Sequence, residues 1–192
     1  MAVVVFEQTF TQRISGEQIL AKDAQNRWCF AAHRVRPTWH LVSLDGLRVC
    51  CALDAPDAES VRLAGRKAGV TPPERVWSAT VHGPVSDVRD LLRRVDGTAR
   101  ALVAVERSFV APVRFEEVQA LEDRGAWCLS LNRVEFLVSW FALDRRRMIC
   151  LYDAPDAEAV SRTNGRLGLP FERVWSGVLY ICEEPAGNIP AG

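Results

Sequence analysis

The sequence predicts an α+β fold in which two ferredoxin-like domains, each with the order β-α-β-β-α-β, form an intramolecular dimeric α/β-barrel. Three observations support this prediction: a repeat that spans both halves, strand and helix patterns that alternate within each copy, and a hydrophobic content of 48%. A domain of half this length buries only a modest core on its own. Packing one half against the other therefore completes the core.

The repeat is clearest in a nine-residue segment. Leu53–Val61 reads LDAPDAESV and Tyr152–Val160 reads YDAPDAEAV, an offset of 99 residues. The same offset aligns Glu7 with Glu106 and continues without a gap to Gly69. Such self-similarity indicates a duplication. The predicted units are repeat 1 at 1–83, a helical linker at 84–100, repeat 2 at 101–184 and a flexible tail at 185–192.

Each copy begins with a strand and a helix. Val3–Phe10 alternates between two faces and is rich in β-forming residues, which predicts a strand. Ser15–Arg34 has helical spacing, and the second copy shows it as an apolar face. That predicted face consists of Val118, Leu121, Cys128 and Leu131.

The rest of each copy reads as a hairpin, a helix and a final strand. Two strands, Trp39–Leu44 and Leu47–Leu53, are joined by an Asp-Gly turn. A second helix follows with Asp54 as its predicted N-cap and ends near Gly69. Arg75–His82 is the last strand. Since the helices of such a domain cover one face of its sheet, the second copy is expected to cover the other.

Composition and charge exclude several classes of function. The 24 basic residues balance the 24 acidic ones, so nucleic acid and anionic membranes are not expected as partners. No apolar run approaches the roughly 20 residues that cross a bilayer, and the N-terminus does not resemble a signal peptide. We expect a cytoplasmic protein, and its arginine-rich basic residues suggest a bacterial gene. The six cysteines form no CxxC pair and are expected to be buried free thiols. The repeat-paired tryptophans are expected in the core.

The candidate site follows from which strand face meets the space between the halves. If Val4 and Phe6 pack on the helices, Glu7 points into that space, and Glu106 does the same in the second copy. On the third strand, Cys150 and Tyr152 are predicted to face the same space. The set is completed by Cys51, by His40 and by its counterpart Ser139.

These residue types point to a ligand or metal site. Glu7, Glu106, Ser139 and Tyr152 are the predicted ligand-binding residues. A buried carboxylate is costly unless it is paired, protonated or metal-bound. Thiolate and imidazole ligands suit nickel, zinc or copper, which makes His40, Cys51 and Cys150 the predicted metal ligands.

Simpler alternatives stay open for the same residues. The glutamates could be satisfied by a neighbouring Arg, Trp or Ser, as buried acids usually are. The two cysteines could pack as small hydrophobic residues. A cofactor-independent enzyme that uses Glu7 or Glu106 as an acid or base is the second functional hypothesis, and a structural or partner-binding protein is the third. The expected partners are a metal ion or small ligand, with a homodimer of the whole chain left open.

The second copy resembles a bacterial family of small proteins of unknown function, at least some of which bind nickel. The resemblance rests on Glu106–Phe109, on Ser139–Phe141 with Asp144, on Cys150–Val160, and on Gly168–Pro170. It implies a ferredoxin-like fold that dimerises, and a nickel or other transition-metal ion as cofactor. The family often has a histidine in its second helix, but this sequence has Ala64 and Thr163 there. The resemblance therefore does not transfer that ligand.

Overall fold

The computed structural model describes residues 1–85, 88, 91 and 101–182. Both halves run through strands and helices in the same order, except that one helix of the second half is divided. The first half contains β1 (Ala2–Thr9), α1 (Gly16–Ala32), β2 (Arg36–Ser43), β3 (Arg48–Ala55), α2 (Ala58–Lys67) and β4 (Arg75–His82). The second contains β5 (Ala101–Ser108), α3 (Phe115–Arg124), α4 (Ala126–Leu131), β6 (Glu135–Ala142), β7 (Arg147–Ala154), α5 (Ala157–Leu167) and β8 (Arg173–Ile181).

The eight strands form one closed antiparallel barrel in the order β1-β3-β2-β8-β5-β7-β6-β4. The four strands of each half lie side by side, in the orders β4-β1-β3-β2 and β6-β7-β5-β8. The halves join at two seams, where β2 pairs with β8 and β4 pairs with β6. The predicted α+β class and the closed barrel are confirmed.

The hydrophobic residues form three clusters that separate the inside of the barrel from its outside. One cluster contains residues from both halves, such as Trp77 and Trp175, and fills the barrel interior. The second cluster packs β-strand residues of the second half against its helices, and the third does so in the first half. The chain therefore has one shared core and two helix-facing cores.

Strand register decides which residues face the interior. Residues directly opposite each other in an antiparallel pair lie on the same face. Glu106 lies opposite Ile149, whereas Cys150 lies opposite Val105. The prediction that Cys150 and Tyr152 share a space with the glutamates is therefore wrong: they face the helices. The same correction applies in the first half, where Glu7 lies opposite Cys50 and not Cys51.

Helices α1, α2 and α5 begin at side-chain caps. Ser15 and Gln18 form a reciprocal capping box at α1. The cap of α2 is Asp57, whose carboxylate accepts a hydrogen bond from the Ser60 amide at 2.7 Å. The prediction of Asp54 as this cap is wrong, because Asp54 lies at the end of β3 and pairs with Arg36.

The helix that is continuous in the first half is interrupted at Gly125 in the second. A Cβ on Gly125 would lie 2.2 Å from a methyl carbon of Leu167, so a larger residue would force the Leu167 side chain to move. Leu131 is 70% exposed, and its aligned residue in the continuous α1, Ala32, is also exposed. The predicted place of Leu131 on the apolar face is therefore wrong.

Two tryptophans also depart from expectation. Trp28 and Trp127 are 70% and 67% exposed, so they are not core residues. Each precedes a fully buried cysteine, and adjacent helical residues cannot both face the core. The other pair, Trp77 and Trp175, lies in the barrel interior as expected.

Parts of the predicted linker helix and the whole predicted tail, 185–192, lie outside the described residues. Of the linker, Val85, Val88 and Leu91 are described, and all three pack against the barrel-interior cluster. Within the described part of the chain, no helix has the length and hydrophobicity needed to cross a membrane.

Candidate functional site

Glu7 and Glu106 occupy equivalent positions inside the barrel. The indole Nε1 of Trp77 donates to Glu7 Oε1 at 2.6 Å, and that of Trp175 donates to Glu106 Oε1 at 2.8 Å. Both glutamates are at most 7% exposed. The interpretation that the sequence left open, an acid satisfied by ordinary neighbours, matches these contacts.

Arginines from the ends of β4 and β8 link the glutamates across the two halves. Arg75 lies 3.7 Å from Glu7 and 2.8 Å from Glu172 of the other half. Arg173 makes the reciprocal ion pairs, at 3.3 Å to Glu106 and 2.9 Å to Glu74. Burial raises the pKa of Glu7, whereas hydrogen bonds from Arg75 and Ser108 lower the pKa of Glu172 to about 2.

The predicted metal ligands His40 and Cys51 do lie together, on the helix-facing side of the first half. His40 lies opposite Cys51 across the β2–β3 pair, and its Nδ1 is 2.7 Å from the Cys51 sulfur. Its Nε2 lies 2.6 Å from Oδ2 of Asp23, which projects from α1. Cys182 follows β8 and places its sulfur 3.9 Å from the same carboxylate oxygen.

Asp23, His40 and Cys182 form a group whose ligand atoms all lie within 4.8 Å of one another. His40 is buried, and the other two are partly buried. Burial and the nearby Asp23 raise the pKa of the Cys182 thiol to about 12. The group is therefore an enclosed carboxylate, imidazole and thiol that can offer three different ligand atoms to one cation.

The remaining predicted site residues lie in the second half and form a different arrangement. Arg107 is fully buried, and its guanidinium donates to Tyr152 at 2.9 Å and to the Asn164 side-chain oxygen at 2.7 Å. It also lies 3.4 Å from Glu122, which accepts a further hydrogen bond from Tyr152. Burial raises the pKa of Glu122. We call Arg107, Glu122, Tyr152 and Asn164 the second-half network.

Cys150 and Ser139 lie next to this network. Arg107 Nε approaches the Cys150 sulfur at 3.5 Å, and burial raises the pKa of that thiol to about 11. Ser139 stands where the first half has His40, and its buried hydroxyl has no hydrogen-bond partner among the described residues. The structure thus separates Cys150 from His40 and Cys51, although the sequence grouped all three.

In the first half, the equivalent region is an open cavity of about 300 Å³ between the sheet and the helices. Its walls are mostly apolar side chains, and Asp23, His40 and Cys51 are among its polar lining residues. We call this space the first-half cavity. Neither Glu7 nor Glu106 lines it.

Sequence reasoning missed Asp23, Cys182 and Arg107 as members of these sites. One signal was available for Asp23, because the offset of 99 aligns it with Glu122, so both copies keep an acid at this helix position. No such signal marked Cys182, since its approach to Asp23 depends on the pairing of β8 with β2. Arg107 aligns with Gln8, and nothing in that pair indicates complete burial.

Comparison with solved structures supports the barrel fold. The chlorite dismutase of Candidatus Nitrospira defluvii in complex with imidazole aligns with a TM-score of 0.51 and 11% identity, over 93% of this chain and 91% of that chain. A mutant of that chlorite dismutase in complex with cyanide gives a TM-score of 0.50 and 11% identity, over 93% and 90%. At this identity the similarity shows the fold alone.

Comparison with protein families gives a match in the second half, whereas comparison with curated proteins gives none. The match contains the Cys150–Val160 segment and the strands on either side of it. It confirms the resemblance that these motifs predicted. Residues 104–176 match the family described as nickel responsive protein SCO4226-like.

Proposed function

We propose that the protein binds a divalent transition-metal ion at Asp23 and His40 of the first half and Cys182 of the second, where β2 pairs with β8, and that the ion is nickel or one of similar chemistry. The observation that supports this most directly is the convergence of three different ligand atoms within 4.8 Å. Metal–ligand bonds of about 2.0 to 2.3 Å place neighbouring ligand atoms roughly 3 to 4 Å apart, so a small adjustment suffices. The match of residues 104–176 to a nickel-responsive family supports nickel as the ion, although the matched segment contains none of the three proposed ligands.

The residues present fit such an ion chemically. Imidazole and thiolate are ligands that nickel, zinc and copper prefer over magnesium or calcium. Binding through Nε2 of His40 requires its proton on Nδ1, where the Cys51 sulfur lies 2.7 Å away as acceptor. Metal-bound histidines commonly donate from the second ring nitrogen in this way. Cys51 therefore serves as a positioning residue in the proposal, whereas the sequence-based hypothesis made it a ligand.

The second half lacks an equivalent site. The imidazole is replaced by the Ser139 hydroxyl, and the Glu122 carboxylate is occupied by Arg107 and Tyr152. A fixed guanidinium beside that carboxylate repels a cation. We therefore propose one metal ion per chain and assign no metal ligand to Cys150.

The architecture supports an origin by duplication. Corresponding strands pair in the same register, since Glu7 opposite Cys50 matches Glu106 opposite Ile149 at an offset of 99. We infer that each half is a ferredoxin-like repeat, with the boundaries 1–83 and 101–184. After duplication, one copy can change its helix-facing core while the other keeps it. A single metal site per chain is consistent with that history.

The test is nickel titration of the reduced, metal-free chain by isothermal titration calorimetry. We expect about one ion per chain, with at least tenfold weaker binding in His40→Asn and Cys182→Ser. His33→Asn is the matched control, because His33 lies at the end of α1 away from the site. Because the Cys182 thiol must lose its proton, uptake should release protons and tighten as pH rises.

The same titration separates the structural proposal from the sequence-based one. Cys150→Ser should leave the affinity unchanged if Asp23, His40 and Cys182 hold the ion. Loss of nickel binding in Cys150→Ser would instead place the ion with the second half. Unchanged binding in both His40→Asn and Cys182→Ser would rule out the proposed ligands.

A further inference from the structure

The helix-facing spaces of the two halves contain aligned residues of different size. Arg107, Glu122, Tyr152 and Asn164 fill this space in the second half. The residues at the same offset in the first half are Gln8, Asp23, Leu53 and Gly65, and each is the smaller member of its pair. The first-half cavity is therefore the volume that the second-half network occupies in the other copy.

The backbone around the two spaces is held in a similar way. Arg107 donates to the carbonyl oxygen of Pro170 at 2.8 Å in the second half. In the first half, the Gln8 side-chain amide lies 3.3 Å from the carbonyl oxygen of Thr71, and its nitrogen can donate there when the amide is turned with that group towards the loop. The shorter side chain keeps this link to the loop before β4. The loop before β4 therefore keeps its position in the first half, although the smaller residues leave empty space behind it.

The walls of the first-half cavity favour an apolar occupant. Aromatic and aliphatic side chains make up most of its lining, among them Phe6, Phe10, Ile14, Phe30, Val49 and Val61. Its volume of about 300 Å³ is at the lower end of small-molecule sites in proteins, which run from about 300 to 1,000 Å³. That space suits a body of one or two rings, or a short branched chain.

The charge at the cavity favours an anionic head on that occupant. Among the lining residues, Lys22 carries a positive charge and Asp23 a negative one. The Asp23 carboxylate already lies 2.6 Å from Nε2 of His40. Lys22 lies on the exposed side of α1, so its ammonium group can reach an anion at the opening. An exposed cation next to an apolar interior is complementary to a molecule that has one negative end.

We propose that the first-half cavity binds a small amphipathic carboxylate, with its apolar body between the sheet and the two helices and its carboxylate near Lys22. This site binds a different ligand from the proposed metal site, although Asp23 and His40 belong to both sites. Metal binding is not required for it. The two proposals can therefore fail separately.

The test uses 1-naphthoate as the probe, titrated by isothermal titration calorimetry in the presence of EDTA so that no metal contributes. We expect saturable binding with one probe per chain. The double substitution Leu53→Tyr with Gly65→Asn gives the cavity two side chains from the second-half network and should weaken binding at least tenfold, or about 1.4 kcal/mol. A side chain at position 65 is sterically allowed, because a Cβ there meets Val70 at 3.9 Å.

The matched control is Gly165→Asn, the same change on α5, where a Cβ meets nothing within 4 Å. It should leave the affinity for 1-naphthoate unchanged. Lys22→Gln should weaken 1-naphthoate severalfold without changing the affinity for the neutral analogue 1-naphthalenemethanol. Nuclear Overhauser contacts between the rings of the probe and the methyl groups of Ile14 and Val61 locate the site in the wild-type chain.

Two results would overturn the proposal. Absent binding of 1-naphthoate to the wild-type chain, or contacts that leave out Ile14 and Val61, would exclude the cavity as its site. Equal affinity for the acid and the neutral alcohol, unchanged in Lys22→Gln, would refute the anionic head. Nickel binding to the same preparations, measured without EDTA, reports separately on the metal proposal.

Discussion

The same space between sheet and helices is built in two ways in this chain. In the second half, a buried arginine, an acid, a tyrosine and an asparagine fill it with hydrogen bonds. In the first half, smaller residues leave a cavity that an imidazole, a carboxylate and the Cys51 thiol line. The barrel interior keeps the same polar pair in both halves, a glutamate that accepts a hydrogen bond from a tryptophan.

This difference separates the parts of each half that can change on their own from the parts that cannot. The barrel interior is shared, so a change in one copy must fit the other copy. Each helix-facing core is built mostly from residues of its own half, and Tyr180 of β8 is the second half's contribution to the first-half core. The helix-facing core of one half could therefore contain polar residues that stabilise the fold, and that of the other half polar residues that bind a ligand.

The largest expected effect comes from removing the buried cation of the second-half network. Arg107→Met leaves Glu122 buried beside Tyr152 without its counter-charge, which typically costs about 3 to 5 kcal/mol. Gln8→Met, the aligned change in the first half, should cost about 1 kcal/mol or less. Urea unfolding of the two variants measures both values. Equal losses would show that the two halves do not differ in the way proposed.

A smaller, pH-dependent effect is expected at the barrel interior. Burial raises the pKa of Glu7, so the stability contributed by its protonated form is present at low pH and is lost as the pH rises through the raised pKa. Glu7→Gln mimics the neutral form and keeps an acceptor for Trp77. The variant should therefore become more stable relative to the wild type as the pH rises, by about 1 kcal/mol at most. Melting temperatures measured across the pH range show this difference.

Glu172→Gln is the comparison for that experiment, because its stability relative to the wild type should change with pH in the opposite direction. The pKa of Glu172 is lowered to about 2, so its ionised form stabilises the fold above the ordinary carboxyl pKa, and that contribution disappears as the pH falls towards 2. The variant should lose stability at neutral pH and approach the wild type in acid. If thermal unfolding showed that the stability of both variants, relative to the wild type, changes in the same direction with pH, the opposite pKa shifts of Glu7 and Glu172 would be contradicted.

The smallest effect is expected at the exposed tryptophans. Trp28→Ser and Trp127→Ser should each change the free energy of unfolding by about 0.5 kcal/mol or less, because both side chains are mostly exposed. Each substitution should also reduce the part of the tryptophan fluorescence that iodide quenches, and the other exposed tryptophan should account for the rest. A large loss of stability in only one of them would reveal a further difference between the halves.

The sequence was sufficient to predict most elements, because their signals are local. Alternation along β1, the Asp-Gly turn and the spacing of the second helices lie within short segments, and the structure has those elements where expected. Errors came where the outcome depends on distant partners. The cap at Asp57 and the break at Gly125 were missed, since an alternative aspartate stood nearby and Leu167 comes from another helix.

By itself, the sequence determined the α+β class and the closed barrel, the inward direction of Glu7 and Glu106, and the resemblance of the second half to a nickel-responsive family. Only the tertiary structure decided which residues meet. A strand places alternate side chains on opposite faces, but only strand pairing decides which face lines the barrel interior. The observed register places Cys51, Cys150 and Tyr152 on the face opposite the glutamates. Closure of the barrel then brought Cys182 to Asp23 and His40, because β8 pairs with β2 across the two halves. Contacts between segments this distant in sequence depend on how the whole chain packs, and no local pattern encodes them.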